Sequence, residues 1–534
     1  MNRLKLFSFS LIAALLLTLQ AGAEDNKSNH NIRHVLLISV DGMHALDLTN
    51  YVATHPNSTL AQLSAHGNTY TNATASQPSD SFPGLASLVT GGSPVTTGLW
   101  YDVSFNRKLS PPAATNPILG PTGAPNLCPG TVGTIVEFDE SVDIDLTAVN
   151  GGGGINPAFL PRDPNNGCAP VFPHSYLRVN TIFEVVRANG GYTAWTDKHP
   201  SYEWTNGPSG HGVNDFFGPE INSNPVALPQ FASQGCSPVP APDNTPDDGW
   251  TTDLNNIKCY DLLHVQAVLN QIDGFTHDRS RRALVPTVFG TNFQSVSVGQ
   301  KLKGNGYQDV LGTPTPGLEG ELDFIDQSLG QMVSELKKQG LFNSTLIIVA
   351  AKHGQSPIDV QKRVGIGNGE PQTTIGADEA FDISDDGSLI WLTDPSLTAS
   401  VVAKLSQPAN QQALGIQEIF AFNSLQNKFN SPLDDPRTPD IILKTNTGVI
   451  FTGGSKIAEH GGFNEDDIHT ALLVSSPSMK ANQIKTAVSN QQVAPTILKV
   501  LGIDPNQLDA VRKEQIQVLP FIFADNDGRD GDRH

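Results

Sequence analysis

The stretch His34-Val-Leu-Leu-Ile-Ser-Val40, followed at once by Asp41 and Gly42, decides the fold of this chain. A nearly continuous apolar run of this length is typical of a strand buried on both faces of a parallel sheet. Similar runs recur at 346–351 and 471–475, and apolar residues recur at helical spacing over 320–339 and 493–501. Strands that alternate with helices predict an α/β fold built in layers.

The composition excludes several classes of protein. The chain has 534 residues, and 33 Lys and Arg against 53 Asp and Glu give a net charge of −20. An acidic surface repels a phosphate backbone, so we expect no stable nucleic-acid complex. A hydrophobic content of 38% is too high for a disordered chain, and the length allows a sizeable core.

The N-terminus has the composition of a secretory signal peptide over residues 1–23. Arg3 and Lys5 precede an apolar run at 6–19, and Ala21-Gly22-Ala23 supplies small residues for cleavage. The run is shorter than the ~20 residues that a membrane span needs. We therefore expect a secreted or periplasmic protein without a membrane anchor after cleavage.

The mature chain is predicted to be a single domain over 34–524, after a short lead at 24–33 and before a polar tail at 525–534. Segments 103–175 and 205–258 are rich in Pro, Gly and Asn, and we interpret both as loop-rich insertions.

Four cysteines lie in these two insertions or at their edge. An even number of cysteines in an exported chain predicts two disulfides. Three pairings are possible, and we predict the sequential one, Cys128 with Cys168 and Cys236 with Cys259. A zinc site is disfavoured because the chain has no Cys-x-x-Cys pair.

Two residues stand where chemistry is expected in an α/β fold. Asp41 follows the first strand, and ligands collect at the carboxyl ends of parallel strands. Ser81 precedes Phe82-Pro83 and a short apolar face that ends at Gly91, which predicts a helix beginning near Ser81. Helix N-termini bind anions and favour the alkoxide of a hydroxyl nucleophile. The alternative for either residue is a simple helix N-cap.

Other polar residues are further candidates. His353 and His460 each precede glycine, which allows close approach of backbone or substrate, although a loop histidine can also be purely structural. Asn292 and Gln294 lie in a polar segment, 290–300, that alternates like a strand. Their amides could orient an oxygen ligand or substrate, or instead satisfy buried backbone groups.

In their order along the chain, these motifs resemble the alkaline phosphatase superfamily, and within it the type I phosphodiesterase and nucleotide pyrophosphatase branch. The matching motifs are Asp41-Gly, Ser81-Phe-Pro, His353-Gly and His460-Gly-Gly. The resemblance implies a three-layer α/β/α sandwich and a hydrolase of small phosphate esters, of the phosphodiesterase or nucleotide pyrophosphatase type. It also implies a covalent phospho-enzyme on Ser81 and two metal ions, usually zinc.

The chain departs from this pattern in three places. Lys352 stands where the family has a metal-binding aspartate, and Gly84 stands where it has an asparagine that touches phosphate. Ungapped counting puts Asn305 and Asp309 at the family's Asp-x-x-x-His pair, so an imidazole is lost there.

The resemblance, with these departures, implies the expected site. The expected metal ligands are Asp41, Ser81, Asp309, His353 and His460, the expected catalytic residues are Ser81 and Lys352, and the expected substrate-binding residues are Gly84, Asn292 and Gln294. We expect one or two divalent ions, zinc first. Magnesium, calcium and manganese are alternatives because the set is rich in oxygen ligands.

Two other functions are compatible with the same fold. The first is a sulfatase or a phosphonate hydrolase. A sulfatase needs a Cys- or Ser-x-Pro-x-Arg motif, and none surrounds Ser81. A binding protein with a degenerate metal centre and no turnover would explain Lys352 and the missing imidazole.

Overall fold

The structure is a computed structural model that describes residues 32–118, 128, 130–237 and 249–522. The predicted signal peptide, most of the lead and the polar tail lie outside the described residues.

The strands of the described residues are numbered in chain order. They are β1 (His34–Val40), β2 (Gly67–Tyr70), β3 (Ala73–Thr74), β4 (Val103–Asn106), β5 (Thr134–Glu137), β6 (Arg162–Asp163), β7 (Ala169–Pro170), β8 (Ala194–Thr196), β9 (Asp215–Phe217), β10 (Val288–Phe293), β11 (Thr345–Ala350), β12 (Val364–Ile366), β13 (Glu379–Ser384), β14 (Gly387–Leu392), β15 (Ile416–Phe420), β16 (Ile441–Thr445), β17 (Val449–Phe451), β18 (Leu472–Ser475), β19 (Asn482–Ile484) and β20 (Val488–Ser489).

The α-helices of the same residues are numbered in the same way. They are α1 (Ala45–Thr54), α2 (Thr59–Ala65), α3 (Ser81–Thr90), α4 (Pro94–Thr97), α5 (Pro173–Tyr176), α6 (Ile182–Ala188), α7 (Leu254–Ile272), α8 (Ser295–Lys301), α9 (Pro316–Lys338), α10 (Glu370–Ile375), α11 (Thr398–Leu405), α12 (Pro408–Ala413), α13 (Phe422–Gln426), α14 (Glu465–Ile468), α15 (Val493–Val500) and α16 (Asp509–Glu514).

The main sheet places β1 at its centre. Over the described residues it has eight strands in the order β19-β2-β18-β11-β1-β10-β8-β9. The run β11-β1-β10-β8 is parallel, whereas β18 is antiparallel to both β11 and β2. With β9, which is parallel to β8, five neighbouring strands therefore end at one edge of the sheet.

Helices cover both faces of this sheet. Val35 and Leu37 of β1 pack into a cluster with α3, α6 and α15. Leu36, Ile38 and Val40 face the opposite cluster, with α1, α2, α7 and α9. Because alternate residues of a strand point to opposite faces, a strand buried on both sides has to be apolar at nearly every position. The predicted three-layer α/β/α fold is confirmed.

Two local predictions need correction. The strand predicted at 471–475 is present as β18, but it runs antiparallel to β11, which an apolar run does not reveal. The segment 290–300 is a strand only as far as Phe293 and then turns into α8. Its polar alternation therefore spans the end of a strand and the start of a helix.

A second sheet lies between β11 and β18 in sequence, and no motif in the sequence predicted it. Its antiparallel order is β13-β14-β16-β15. One face packs on α11 and its neighbours, and the other packs on Trp100, Tyr101 and Phe463 near the segment that carries His460.

Both predicted disulfides are present. Cys128 pairs with Cys168 and Cys236 with Cys259, each with a Cα–Cα distance of 5.6 Å. In the three long described stretches, 32–118, 130–237 and 249–522, no helix combines the length and apolar character that crossing a membrane requires.

A largely buried ion pair joins the segment between α5 and α6 to the loop before β16, and its loss should destabilise the fold. Arg178 binds Asp435 through two hydrogen bonds of 2.6 Å. Burial opposes ionisation of Asp435, but Arg178 outweighs it and lowers the pKa of Asp435 to about 2. We expect Asp435→Asn to lower the free energy of unfolding by about 1–3 kcal/mol in urea titrations.

The difference should depend on pH. The charged Asp435 contributes fully above its unfolded pKa of about 3.9, and its contribution disappears as the pH falls toward 2. The exposed neighbour Asp434 gives the matched control, Asp434→Asn, which should be neutral within about 0.5 kcal/mol. Equal effects of the two substitutions would contradict this role for the pair.

Candidate active site

The parallel strands bring polar side chains from distant parts of the chain to one edge. The residues at this edge are Lys352 and His353 after β11, Asp41 after β1, Asn292 at the end of β10 with Gln294 after it, and Asp197 and Lys198 after β8. The register pairs Ser39 with both Asn292 and Ala350, so Asp41 lies level with Gln294 and Lys352. This edge is the expected place for a ligand in an α/β sheet.

Ser81 is the first residue of α3, and its hydroxyl does not cap the helix. The N-cap is Asp80, whose carboxylate accepts a hydrogen bond of 3.0 Å from the backbone N–H of Phe82. The Ser81 hydroxyl lies instead 3.2 Å from His353 Nε2 and accepts a hydrogen bond of 2.8 Å from Lys198 Nζ. The capping alternative for Ser81 is therefore wrong.

His353 is held with Nε2 directed at Ser81. Its Nδ1 lies 2.8 Å from the carbonyl oxygen of Gly354, which can only accept a hydrogen bond. Nδ1 therefore carries the proton, and Nε2 keeps a lone pair that can accept the Ser81 proton. Burial lowers the pKa of His353 despite the nearby carboxylate of Asp41, which favours the neutral ring.

Asp41 is buried, and N–H donors reach its Oδ2, whereas its Oδ1 has no hydrogen-bond partner in the described part of the chain. Its Oδ2 accepts from Gln294 Nε2 at 2.6 Å and from Asn292 Nδ2 at 3.2 Å, and Lys198 Nζ lies 3.7 Å away. Burial opposes ionisation, but the charge of Lys352 and the interactions with His353 and Lys198 outweigh it and hold the pKa of Asp41 well below its usual range. Asp41 does not cap α1, whose N-cap is His44.

Lys352 is completely buried beside the site. Its Nζ donates to Asp197 at 2.7 Å and lies 4.3 Å from the centre of the Tyr202 ring. Burial lowers the pKa of Lys352, although the carboxylates of Asp197 and Asp41 favour the charged form.

His460 joins the site through the ring of His353. The two rings stack with centroids 3.8 Å apart, and His460 Nδ1 is 3.7 Å from Asp80. Burial and the positive groups nearby hold the pKa of His460 well below its usual value. A neutral imidazole therefore lies beside His353.

Two of the predicted residues lie elsewhere or act differently. Asp309 is exposed, and its carboxylate binds only within its own turn, to Leu311 N at 2.9 Å and Thr313 Oγ1 at 2.8 Å. Ungapped counting failed because residues before α9 form an external turn. Gly84 packs on the backbone of Lys352, where an added Cβ would lie 2.3 Å from the carbonyl oxygen. It allows close contact between α3 and the Lys352 segment.

The residues around Ser81 do not fit a pair of metal ions. Gln294, which faces Asp41, would stand at the aspartate of the family's Asp-x-x-x-His pair. The histidine position is then Val298, a buried apolar residue. Where the chain is described, groups of three His, Cys, Asp or Glu with ligand atoms within 4.8 Å occur at His55–Glu319–Asp323 and at Glu140–His199–Glu220. Asp41, His353 and His460 are not among them.

Lys198 and Asp197 belong to the site, although local periodicity does not place them there. The strand that positions them, β8, has three residues, which is too short for a periodic pattern. Lys198 is separated from Ser81 by 117 residues, so no local signal links the two.

Comparison with known proteins identifies the family of the chain. Residues 35–116 and 193–469 match the family described as type I phosphodiesterase/nucleotide pyrophosphatase, which is more than half of the chain. A curated relative, the bis(5'-adenosyl)-triphosphatase ENPP4 of Pongo abelii, is 21% identical over 189 residues. That match spans 34% of this chain and 38% of the relative.

Solved structures share the fold at low sequence identity. Murine ectonucleotide pyrophosphatase/phosphodiesterase 5 has a TM-score of 0.52 and 13% identity, over 88% of this chain and 96% of that chain. The alkaline phosphatase PafA has a TM-score of 0.56 and 13% identity, over 89% and 96% of the two chains.

The assignment of the cap to Asp80 can be tested by stability. Asp80→Ala should lower the free energy of unfolding by about 0.5–2 kcal/mol, because the N–H of Phe82 loses its acceptor. Asp80→Asn is the matched control and should stay near the wild-type value, since Asn also caps helices. Urea titration measures both, and an Asp80→Ala protein as stable as the wild type would contradict the assignment.

Proposed function

Since the chain belongs to the type I phosphodiesterase/nucleotide pyrophosphatase family, we propose that it is a phosphoric ester hydrolase that cleaves small phosphodiesters or pyrophosphates with Ser81 as the nucleophile. The observation that carries this proposal is the position of the Ser81 hydroxyl between His353 Nε2 and Lys198 Nζ. A buried hydroxyl in contact with both a neutral base and a cation is arranged for proton loss.

The proposed reaction has two steps. Ser81 Oγ bonds to phosphorus while the bond from phosphorus to the leaving oxygen breaks, and the Ser81 proton moves to His353 Nε2 and on to the leaving group. Water then attacks the phosphoserine, His353 takes a proton from the water, and Ser81 leaves with a proton. Phosphoryl transfer requires mainly positioning and charge stabilisation, which this site offers.

The positive charge that the phosphoryl group needs comes from Lys198 and the N-terminus of α3. Asp41, Asp80 and Asp102 favour the charged ammonium more than burial opposes it, which raises the pKa of Lys198. Lys352, which is paired with Asp197, adds a second and more deeply buried amine. A lysine donor aimed at the developing charge stabilises the transition state without reorganisation.

A bound divalent ion would neutralise the phosphate and the leaving oxygen. The residues at Ser81 do not supply two ligand sets, so we assign no step to a metal and give that role to the lysines. The metal dependence implied by the family resemblance stays a prediction, which the hydrolysis assay tests.

The substrate and the compartment are also proposals. One solved structure of ectonucleotide pyrophosphatase/phosphodiesterase 5 is described as an inactive variant in complex with AMP. A nucleotide diester or pyrophosphate is accordingly our first choice of substrate. Two disulfides fit an oxidising compartment, which supports a secreted or periplasmic protein, and N-terminal sequencing of the mature chain tests cleavage before Glu24.

The central test is hydrolysis of bis(p-nitrophenyl) phosphate by the purified mature protein. Ser81→Ala should lower kcat at least about a thousandfold, because the variant loses the hydroxyl that contacts His353 Nε2. Ser87→Ala, on the same helix with its hydroxyl bound to Gly84 O, is the control and should keep activity. Each protein is assayed after chelation and then with zinc, manganese, magnesium or calcium.

Each outcome of this assay decides something. Turnover that survives Ser81→Ala would remove Ser81 from the role of nucleophile. Turnover only after addition of one ion would confirm the predicted metal dependence. Turnover in the presence of chelator would support charge stabilisation by the lysines. A folded wild-type protein inactive on diesters, pyrophosphates and monoesters would favour the binding-protein alternative.

The role of Lys198 has a separate test. Lys198→Met keeps the volume but removes the charge next to Ser81, so kcat/KM should fall by about 10²–10³ with most of the loss in kcat. Lys198→Arg restores a cation and should recover part of the loss. Wild-type kcat in Lys198→Met, with an unchanged circular dichroism spectrum, would refute the assignment.

A further inference from the structure

We propose that Glu140, Asp143, His199 and Glu220 bind one divalent cation, zinc or manganese, at a site separate from Ser81. The ion would connect both loop-rich insertions to the strand end that carries Lys198. This proposal does not depend on the proposed function, because it concerns ion binding and stability.

Three members of the cluster already have metal-ligand spacing. One ligand atom from each of Glu140, His199 and Glu220 lies within 4.8 Å of the other two. His199 Nδ1 is 2.8 Å from both carboxylate oxygens of Glu220. Each ligand atom would need to move by less than about 1 Å to reach metal bonds of ~2.1 Å.

Asp143 is the independent observation that points to a ligand. Its side chain is 0% exposed, and no hydrogen-bond donor in the described part of the chain reaches either carboxylate oxygen. The carboxylate lies beside Glu220, just outside the group of three, with His199 and Glu140 as further charged neighbours. A buried carboxylate without a donor is costly unless it is neutralised.

Ionisation of Asp143 and Glu220 is unfavourable in this cluster. Burial and the adjacent Glu220 raise the pKa of Asp143 to about 9. Burial also raises the pKa of Glu220 well above its usual value. A dication would offset the cost of burying these carboxylates side by side.

The chemistry of the ligands selects the ion. One imidazole nitrogen with carboxylate oxygens suits zinc or manganese. Calcium and magnesium prefer sites in which every ligand is oxygen. Magnesium and calcium therefore serve as the comparison ions in the test.

The position of the site explains what the ion would do. Glu140 and Asp143 belong to the first insertion and Glu220 to the second. His199 directly follows Lys198, and the backbone N–H of Ile221 donates to Lys198 O at 3.0 Å. An ion here would hold the backbone of Lys198 against both insertions, as a positioning site without contact to substrate.

The experiment uses the full mature protein, stripped with chelator, loaded with zinc or manganese and desalted. Elemental analysis should find about one ion per chain in the wild type, and its dissociation constant should weaken at least about tenfold in Asp143→Asn. The melting temperature should rise with zinc or manganese more than with magnesium or calcium, and Asp143→Asn should lose that rise. Zinc-edge anomalous diffraction should place the ion between His199 and Glu220.

Control variants keep the proposal open to refutation. Glu319→Gln disables the more exposed His55–Glu319–Asp323 group and should leave binding intact. Glu140→Gln is the second ligand variant if Asp143→Asn does not fold, as judged by circular dichroism.

The proposal fails if the folded wild type binds no ion, which would favour a proton shared by Asp143 and Glu220. It also fails if binding is lost only in Glu319→Gln or only in His460→Ala. Ion binding is measured without substrate, so a failed hydrolysis assay leaves this result unaffected.

Discussion

The buried carboxylate of Asp41 is the constraint around which the site is built. A fully buried charge is costly unless neighbouring groups neutralise it. Here Gln294 and Asn292 donate to Oδ2, and positive charge comes from Lys352 and Lys198, while Oδ1 has no hydrogen-bond partner in the described part of the chain. These groups arrive on three different strand ends, so the register of the parallel strands determines the charge balance. Ser81 meets His353 and Lys198 because this arrangement holds both in place.

An ammonium group differs from a metal ion in ways that matter for the chemistry. Lys198 brings a single charge and needs no ligand set, and it can donate a hydrogen bond directly to Ser81. It cannot lower the pKa of a bound water as a metal does. Release of a phosphoserine would then depend on His353, whose neutral ring is favoured by burial. The replacement of ligands by amines and amides therefore changes which step the protein has to assist.

The two insertions are more than surface loops. The first contributes Glu140 and Asp143, the second contributes Glu220, and both meet His199 directly behind Lys198. Each insertion carries its own disulfide or shares one with α7. A disulfide limits the freedom of a loop within itself, whereas the acidic cluster joins the loops to the sheet edge. The composition of the insertions did not indicate the contacts of the acidic cluster. A high content of Pro, Gly and Asn shows only that regular secondary structure is sparse.

Features that depend on neighbours in sequence were accessible from the sequence alone. The apolar run of β1, the helix begun at Ser81 and the sequential cysteine pairs all follow from residues within a few tens of positions. The resemblance grouped His353 with Ser81, but local pattern could not show that Lys198, 117 residues away, donates to the Ser81 hydroxyl. The same is true of the antiparallel β18, the second sheet and the exposed position of Asp309. Local periodicity indicates which faces of an element are buried, but only the tertiary fold decides which distant side chains share a site. The sequence therefore supplied the chemical groups and their order, and the tertiary structure decided that amines, and not a second set of ligands, surround Asp41.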